Sequence, residues 1–369
     1  MVSLLKNLIG IFGRDESVAG IDIGSSSIKV VQLKKKSGRA VLETYGEIAL
    51  GPYAGVEIGR ATNLPPEKIA EVLIDLLKEA NISTKKCGVA IPSASSLISL
   101  IEMPELPEKE LATMVPLEAR KYIPVPISEV TLDWWIIPRP DREISYMEGA
   151  TEGVRRGKLT DVLLVAILND ALSKYRSVVN AAGLDCGFFE VEIFSTIRAV
   201  LDRSDMAPVM ILDIGSSLTK LSVVERGIIK NSHTINRGSQ DITLAVSKSL
   251  GISVLDAEKK KRAEGFLVSA DGAGDTVLRF IFSEANRALF DYEKKTGKNV
   301  GKIILTGGGA TLKGLYEVAK ESFQTEVVLG DPFSKIETPA FLEKVLKEAG
   351  PEFAVALGVA LRRLAEDRG

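Results

Sequence analysis

The sequence predicts a mixed α/β protein built from two related halves. Residues 21–30, IDIGSSSIKV, recur as residues 212–221, LDIGSSLTKL. Each copy is an apolar run that ends in Asp, a Gly-Ser-Ser turn, and a second apolar run with Lys near its start, which predicts a strand, a tight turn and a strand. A repeat this far apart is not a solenoid period. With 369 residues the chain can bury two cores.

Strands dominate the start of the first half. Alternating and β-branched residues predict strands over 18–24, 28–35 and 40–49. Pro65 and Pro66 then predict the start of a helix, and Asn81 predicts its end. The apolar stripe of this helix is predicted to contain Ile69, Val72, Leu73, Leu76 and Leu77.

A separate α+β block is predicted over about residues 84–184. Its first strand is CGVAI at 87–91, and further strand and helix patterns follow up to a helix that ends before Gly183. The charged stretch 139–160 is predicted to be a solvated, mobile loop.

The second half repeats the same plan. Residues 195–207 are predicted to form a hinge, followed by a strand that opens the second copy of the repeat. Helical patterns cover 241–250, 256–265 and 276–295, the last with Phe280 on its inner face. KIILTGGGATLKGL predicts a strand, a glycine turn and a helix, and Pro351 predicts the start of an apolar final helix.

Composition narrows the possible functions. The formal net charge of −2 gives no electrostatic reason to expect a nucleic-acid partner. Cys87 and Cys186 lack metal-type spacing, so they indicate buried thiols in a reducing compartment, and His233 alone cannot form a histidine metal site. No apolar run approaches the length of a membrane span, and no signal peptide is evident.

The first residues carry an apolar stripe with helical spacing, which leaves two interpretations open. The helix packs on a protein surface, or it is a weak membrane-surface anchor that needs a protein partner for lasting attachment. The stripe consists of Leu4, Leu5, Leu8, Ile9 and Phe12.

The two Gly-Ser-Ser turns are candidate phosphate-binding loops. Glycine lets the backbone approach a ligand closely, and successive amides and hydroxyls form a concave anion site. Asp22 and Asp213 each end a strand, and carboxylates beside a phosphate require a cation such as Mg²⁺. One such turn is typical of a plain hairpin, but two matching copies favour phosphate binding. The candidate phosphate-binding residues are Gly24, Ser25, Ser26, Ser27, Lys29, Gly215, Ser216, Ser217 and Lys220.

Two further features are candidate nucleoside contacts. Gly307, Gly308 and Gly309 enter a helix where a turn needs at most one glycine, which predicts close contact with a base or ribose. Glu258 and Lys261 lie on one helix face, although such a pair is also typical of a solvated surface. The sequence has no P-loop motif and no GxGxxG motif, which disfavours P-loop NTPases and Rossmann dehydrogenases.

In this order, the segments resemble the actin/Hsp70/sugar-kinase superfamily, and within it the bacterial branch that contains FtsA and PilM. DIGSSSIK is similar to the first phosphate loop, LDIGSSLTK to the second, and LTGGGATLKG to the adenosine loop; the opening LLKNLIGIFGR and the ending FAVALGVALR are similar to the PilM pattern. The resemblance implies an actin-like, two-lobed α/β fold with duplicated ribonuclease-H-like domains and an extra α+β subdomain in the first lobe. Domain I is expected to cover 1–205 plus 351–369, and domain II 206–350.

The resemblance also implies roles for residues. Asp22 and Asp213 would hold hydrated Mg²⁺, Lys29 would contact the phosphates of ATP, and Glu192 would position water. The nucleoside would lie against Gly307–309, Glu258, Lys261 and Lys313, with Gly238 lining the cleft. Ser216 and Ser217 stand where many actin-like ATPases have glycines, so weak or no hydrolysis is expected.

The function implied by the resemblance is that of a cytoplasmic, ATP-binding scaffold at the inner membrane in type IV pilus assembly, or in a related type II secretion system. The expected partners are the N-terminal cytoplasmic peptide of a bitopic, PilN-like membrane protein and other pilus platform or motor components. Two alternatives remain: an FtsA-like protein that tethers cell-division components to the membrane, and a small-molecule kinase of the same superfamily, which would need an acceptor substrate.

Overall fold

The computed structural model describes residues 17–137, 159–202, 204–265 and 272–366. The predicted N-terminal stripe and nearly all of the predicted loop 139–160 lie outside the described residues. The chain forms two compact units, one from Met1–Ala90 with Tyr175–Gly369 and the other from Ile91–Lys174. The helices are α1 (Pro66–Glu79), α2 (Glu108–Ala119), α3 (Asn169–Ala181), α4 (Glu192–Val200), α5 (Ser239–Leu250), α6 (Val254–Glu264), α7 (Ala273–Thr296), α8 (Leu315–Ser322) and α9 (Glu343–Glu366).

The first sheet has five strands in the order β3-β2-β1-β4-β8. Strands β1 to β3 form an antiparallel meander, and β4 runs parallel to β1. The central strands are buried almost throughout, as expected of strands covered on both faces. Their bounds are β1 (Ser17–Ile23), β2 (Ser27–Lys36), β3 (Arg39–Ala49), β4 (Lys86–Ile91) and β8 (Asp185–Val191).

Strand β4 corrects the prediction for the inserted block. The CGVAI strand was predicted to open that block, but it pairs with β1 in the first sheet, with Cys87 opposite Ala19. The sequence of a short apolar strand does not indicate which sheet it joins, because its pairing depends on distant residues. Helix α1 matches its prediction, since its buried face contains Ile69, Val72, Leu73 and Leu76.

The second sheet has the strand order β11-β10-β9-β12-β13, which is the arrangement of the first sheet repeated. Strands β9 to β11 form the antiparallel meander, and β12 and β13 run parallel to β9. The duplicated turn in the sequence therefore corresponds to a duplicated sheet. The strands are β9 (Val209–Ile214), β10 (Thr219–Glu225), β11 (Ile228–Ile235), β12 (Lys302–Thr306) and β13 (Glu326–Leu329).

Three predictions in the second half were wrong. Ser195 is fully buried inside α4, so the predicted hinge cannot begin there. Phe280 is 48% exposed, with Arg237 over its ring, while its neighbour Phe282 occupies the core. Pro351 does not open the last helix but lies inside α9. The burial of apolar residues that follow Pro351 offsets the roughly 3 kcal/mol that an interior proline costs a helix.

Helix α9 packs closely on the first sheet. An added Cβ at Gly20 in β1 would lie 2.0 Å from the carbonyl oxygen of Ala356, and one at Gly358 would lie 2.0 Å from that of Ser195. Glycine at both positions therefore lets the helix touch a strand and α4 at backbone distance. Around this contact lies an apolar core that includes Val18, Val31, Phe353, Leu357 and Ala360.

The unit Ile91–Lys174 has a core of its own. Its antiparallel sheet has the order β5-β7-β6, formed by β5 (Ser96–Pro104), β6 (Val130–Ile137) and β7 (Leu159–Leu168). Helix α2 contributes Leu111 and Val115 to a cluster with Ile101, Val162 and Leu164. An α+β insertion is thus present, as predicted.

Candidate functional site

The two Gly-Ser-Ser turns have the same local structure. In the first, the amide of Gly24 donates to the carbonyl of Ser27 at 3.0 Å, and in the second the amide of Gly215 donates to the carbonyl of Leu218 at 3.0 Å. In each hairpin the Asp lies directly opposite the Lys, so that Asp22 pairs with Lys29 and Asp213 with Lys220.

The turns face each other within one compact unit. The hydroxyl of Ser217 lies 3.2 Å from the hydroxyl of Ser25. The two antiparallel hairpins thus meet at the hydroxyls of Ser25 and Ser217, and a ligand at this place would contact both turns.

Lys220 lies between two carboxylates of the second turn and α4. Its Nζ is 2.7 Å from Glu192 Oε2 and 3.3 Å from Asp213 Oδ2. Burial alone would lower the pKa of Lys220, but Asp213 and Glu192 raise it above its ordinary value. Lys220 is therefore held as a cation between the two acids. Strand pairing indicated its contact with Asp213, but nothing in the sequence indicated its contact with Glu192.

Lys29 is also paired. Its Nζ lies 2.8 Å from Glu47 Oε1 and donates to Ser27 Oγ at 2.8 Å. Burial opposes the charge of Lys29, but Glu47 and then Glu352 raise its pKa. Glu47 was not among the predicted site residues, although it lies opposite Lys29 in the β2–β3 pairing and could have been found from that hairpin.

Asp22 is the least compensated acid of the site. Burial raises its pKa from 3.8 to about 7, against the opposing effect of Lys29, and Glu192 raises it further. A carboxylate in this position gains from any cation that approaches it.

Asp22 and Asp213 fit a magnesium ion whose coordination is completed by water and phosphate oxygens. Among the described residues, no group of three or more His, Cys, Asp or Glu side chains could hold a metal ion by itself. Mg²⁺ binds through one or two carboxylates, with water and phosphate oxygens as its other ligands. Asp22 and Asp213 beside the two Gly-Ser-Ser turns are a candidate donor set of that kind.

The glycine turn after β12 packs on the end of β9, directly before the second Gly-Ser-Ser turn. An added Cβ at Gly307 would lie 2.3 Å from Asp213 Oδ1, and one at Gly309 would lie 2.4 Å from a methyl of Ile214. Gly307 also has φ of 84°, and its amide donates to the carbonyl of Pro351 at 2.8 Å. Packing therefore explains two of the three glycines. An added Cβ at Gly308 would meet only Glu352, at 3.7 Å.

Close packing also explains why residue 238 is a glycine. An added Cβ there would lie 2.3 Å from the carbonyl oxygen of Ser216. The next two amides, of Ser239 and Gln240, donate to the carbonyls of Gly215 and Ser216 at 2.9 and 3.0 Å. The start of α5 thus fixes the backbone of the second turn.

Glu258 and Lys261 form a buried pair on α6. Their charged atoms are 2.7 Å apart and their side chains are 6% and 7% exposed. Thr243 donates to Glu258 at 2.6 Å, and Arg262 contacts Glu258 at 2.7 Å. Burial lowers the pKa of Lys261, while Lys261 lowers that of Glu258 against the effect of burial. The solvated-surface interpretation is therefore wrong. Lys313, which follows the glycine turn in the chain, donates to the carbonyl of Ala263 near the end of α6 at 3.1 Å.

The segment after β3 connects the two halves near the turns, which the sequence did not indicate. The hydroxyl of Ser216 donates to the carbonyl of Gly59 at 2.8 Å, and the amide of Ala61 donates to Gln240 Oε1 at 3.1 Å. An added Cβ at Gly59 would lie 2.7 Å from Glu258 Oε1. Contacts of this kind join residues far apart in the chain, and no local pattern encodes them.

Comparison with known proteins gives the family and the fold. The family model "Type IV pilus assembly protein PilM" matches residues 20–364. A solved PilM–PilN type IV pilus biogenesis complex superposes with a TM-score of 0.77 and 26% identity, covering 94% of this chain and 98% of that one. The cell division protein FtsA of Neisseria meningitidis serogroup B is 25% identical over 338 residues, which cover 79% of this chain and 80% of FtsA.

Two more distant structures share the fold alone. The ethanolamine utilization protein EutJ from Carboxydothermus hydrogenoformans has a TM-score of 0.54 at 15% identity, covering 98% of this chain and 96% of EutJ. MreB 5 of Spiroplasma citri, bound to AMPPNP, has a TM-score of 0.51 at 12% identity, covering 96% of this chain and 98% of MreB 5. Within the described residues, no helix is both long and apolar enough to cross a membrane. The fold is two-lobed and actin-like, and the chain belongs to the type IV pilus assembly protein PilM family.

Proposed function

We propose that this protein is an ATP-binding scaffold of the type IV pilus assembly platform. The observation that carries the proposal is the pair of facing turns, with the hydroxyls of Ser25 and Ser217 3.2 Å apart and an Asp–Lys pair behind each turn. Two lobes, 1–205 with 351–369 and 206–350, would each contribute one turn to the phosphates.

The candidate site residues would bind different parts of Mg²⁺-ATP according to their charge. Bound Mg²⁺ would neutralise phosphate charge and the carboxylates of Asp22 and Asp213. Lys29, whose ammonium donates to Ser27 Oγ at 2.8 Å, would contact phosphate oxygens, and the serine hydroxyls of the turns would add uncharged donors. Lys261 donates to Ser239 and Thr243 of α5. Glu258 and Lys261 would therefore support the nucleoside site indirectly, by holding α6 against α5.

We propose that hydrolysis is slow. Glu192 is the candidate for positioning water, but its carboxylate is 2.7 Å from the ammonium of Lys220. A carboxylate oxygen that accepts from an ammonium is less free to accept from a water, so this ion pair competes with the positioning of water. The nucleotide would then serve mainly to stabilise one conformation that a partner binds.

The partner we propose is a bitopic membrane protein of the PilN type, through its N-terminal cytoplasmic peptide. The solved PilM–PilN complex at 26% identity supports this class of partner. Binding to such a peptide would place the protein at the cytoplasmic face of the inner membrane, beside other platform or motor components.

Calorimetric titration with Mg²⁺-ATP tests the nucleotide part of the proposal. Asp213→Ala is expected to weaken binding by about tenfold or more, since hydrogen bonds and ion contacts to charged groups contribute about 1.5–3 kcal/mol. Asp291→Ala, at an exposed position of α7, is the control and should bind as the wild type does. Equal affinity for all three proteins would overturn the site. Co-purification with a PilN-like protein, and loss of the complex when its N-terminal peptide is removed, tests the partner separately.

A further inference from the structure

The two cysteines, distant in sequence, lie side by side in the first sheet. Strands β4 and β8 are neighbours, and the amide of Asp185 donates to the carbonyl of Lys85 at 2.8 Å. Both strands continue forward from this hydrogen bond while they pair with each other, so they run in the same direction, and the bond sets Lys86 beside Asp185 and hence Cys87 beside Cys186.

The two thiols differ in their surroundings. Cys87 is fully buried, whereas Cys186 is partly exposed and donates to the carbonyl of Phe188 at 3.1 Å. The hydrogen bond from Cys87 lowers the pKa of Cys186, while the same contact and burial raise the pKa of Cys87. The positive charge of Arg363 also lowers the pKa of Cys186. Cys186 is therefore the accessible sulfur and the one that ionises first.

We propose that Cys87 and Cys186 form a reversible intrachain disulfide, with peroxide as the oxidant and Cys186 as the attacking sulfur. Residues opposite each other on neighbouring strands are about 4.8 Å apart, within the roughly 4.4–6.8 Å between Cα atoms that a disulfide allows. The bond therefore needs rotation of the side chains and little movement of the backbone.

The chemistry balances in two steps. The Cys186 thiolate attacks one oxygen of hydrogen peroxide, which breaks the O–O bond and leaves sulfenic acid on Cys186 and hydroxide. The Cys87 thiol then displaces the hydroxyl of the sulfenic acid, which forms the S–S bond and releases water. Overall, two thiols are oxidised and one peroxide is reduced to two waters.

The position of the pair gives the bond a structural consequence. Strand β4 leads the chain into the unit Ile91–Lys174, and β8 follows the return of the chain to the first sheet. A Cys87–Cys186 bond would close the chain between these two strands, with that whole unit inside the covalent loop. Such a bond restricts separation of β4 from β8 and is independent of nucleotide binding.

The test uses the full chain, reduced and then titrated with hydrogen peroxide. Free thiols are blocked with maleimide and the protein is digested for mass spectrometry. The expected result is that both thiols disappear together, that a peptide pair linked through Cys87 and Cys186 appears, and that dithiothreitol restores both thiols. Before oxidation, Cys186 should react with maleimide about tenfold faster or more than Cys87, because thiolate fraction and access control the rate.

Two variants separate this proposal from ordinary surface oxidation. In Cys87→Ser, Cys186 should still oxidise but should stop at sulfenic or sulfinic acid. In Cys186→Ser, the buried Cys87 should stay reduced under the same peroxide dose, and circular dichroism checks that each variant is folded. Oxidation of Cys186 in the wild type without loss of Cys87, or a disulfide between two chains in place of the intrachain one, would overturn the proposal.

Discussion

At the scale of single residues, the site is a set of buried charges with unequal compensation. Lys220 and Lys29 each have one acid within 2.8 Å, and Glu258 has both a lysine and an arginine as partners. Asp22 is the exception, because burial outweighs the nearby lysine and raises its pKa to about 7. The candidate metal ligand is therefore also the group whose charge the apo protein tolerates least.

This imbalance predicts a pH dependence of stability. A carboxyl whose pKa is raised binds its proton more tightly in the folded protein than in the unfolded chain, so Asp22 lowers the free energy of unfolding as pH rises from about 4 to 7. Asp22→Asn removes this effect. Between about pH 5 and about pH 8, the free energy of unfolding of the variant should gain about 3 kcal/mol relative to wild type. Urea denaturation without nucleotide or divalent cation measures it, and Asp291→Asn is the exposed control.

A second prediction concerns two neighbouring lysines of α6. Lys261 forms the buried pair with Glu258, whereas Lys260 pairs with Glu264 at 37% and 48% exposure. Lys261→Met should lower the free energy of unfolding by about 2–4 kcal/mol, because it leaves Glu258 buried with only Arg262 as a cation. Lys260→Met should change it by less than about 1 kcal/mol. Similar losses in the two variants would contradict the buried-pair assignment.

At the scale of elements, close contact between backbones determines how α9 is positioned. Replacing glycine by alanine inside a helix normally adds about 1 kcal/mol of stability. At Gly358 the added methyl would lie 2.0 Å from the carbonyl of Ser195, which no rotamer can relieve.

Gly358→Ala is therefore expected to lower the free energy of unfolding by roughly 2 kcal/mol or more, the reverse of its effect in an isolated helix. Thermal unfolding compares it with Glu348→Ala, an exposed position of the same helix that should stay close to wild type. A melting temperature for Gly358→Ala at or above the wild-type value would show that α9 does not pack in this way.

Elements with a strong local pattern could be predicted, and elements defined by distant contacts could not. The two hairpins and α1 follow from alternation and from Pro65 and Pro66, which act within a few residues. The pairing of β4 with the first sheet and the continuation of α9 across Pro351 depend on contacts with residues far along the chain. In the site, the Asp–Lys pairs came from the repeat, whereas the Lys220–Glu192 contact has no sequence signal.

At the scale of the whole molecule, duplication explains the site. Two sheets of the same strand order each carry a Gly-Ser-Ser turn in their first hairpin, and the turns meet at Ser25 and Ser217. The segment with Gly59 and Ala61 adds hydrogen bonds between the halves near these turns. A ligand held by both turns would therefore strengthen contacts that exist already in its absence.

Hydrogen exchange with and without Mg²⁺-ATP tests this account most directly. If one triphosphate lies between the turns, peptides that contain residues 24–27 and residues 215–217 should both be protected at the same ligand concentration. Both should lose that protection together in Asp213→Ala, while exchange in the unit Ile91–Lys174 serves as the internal reference. Protection of only one turn, or of neither at saturating Mg²⁺-ATP, would contradict the central claim.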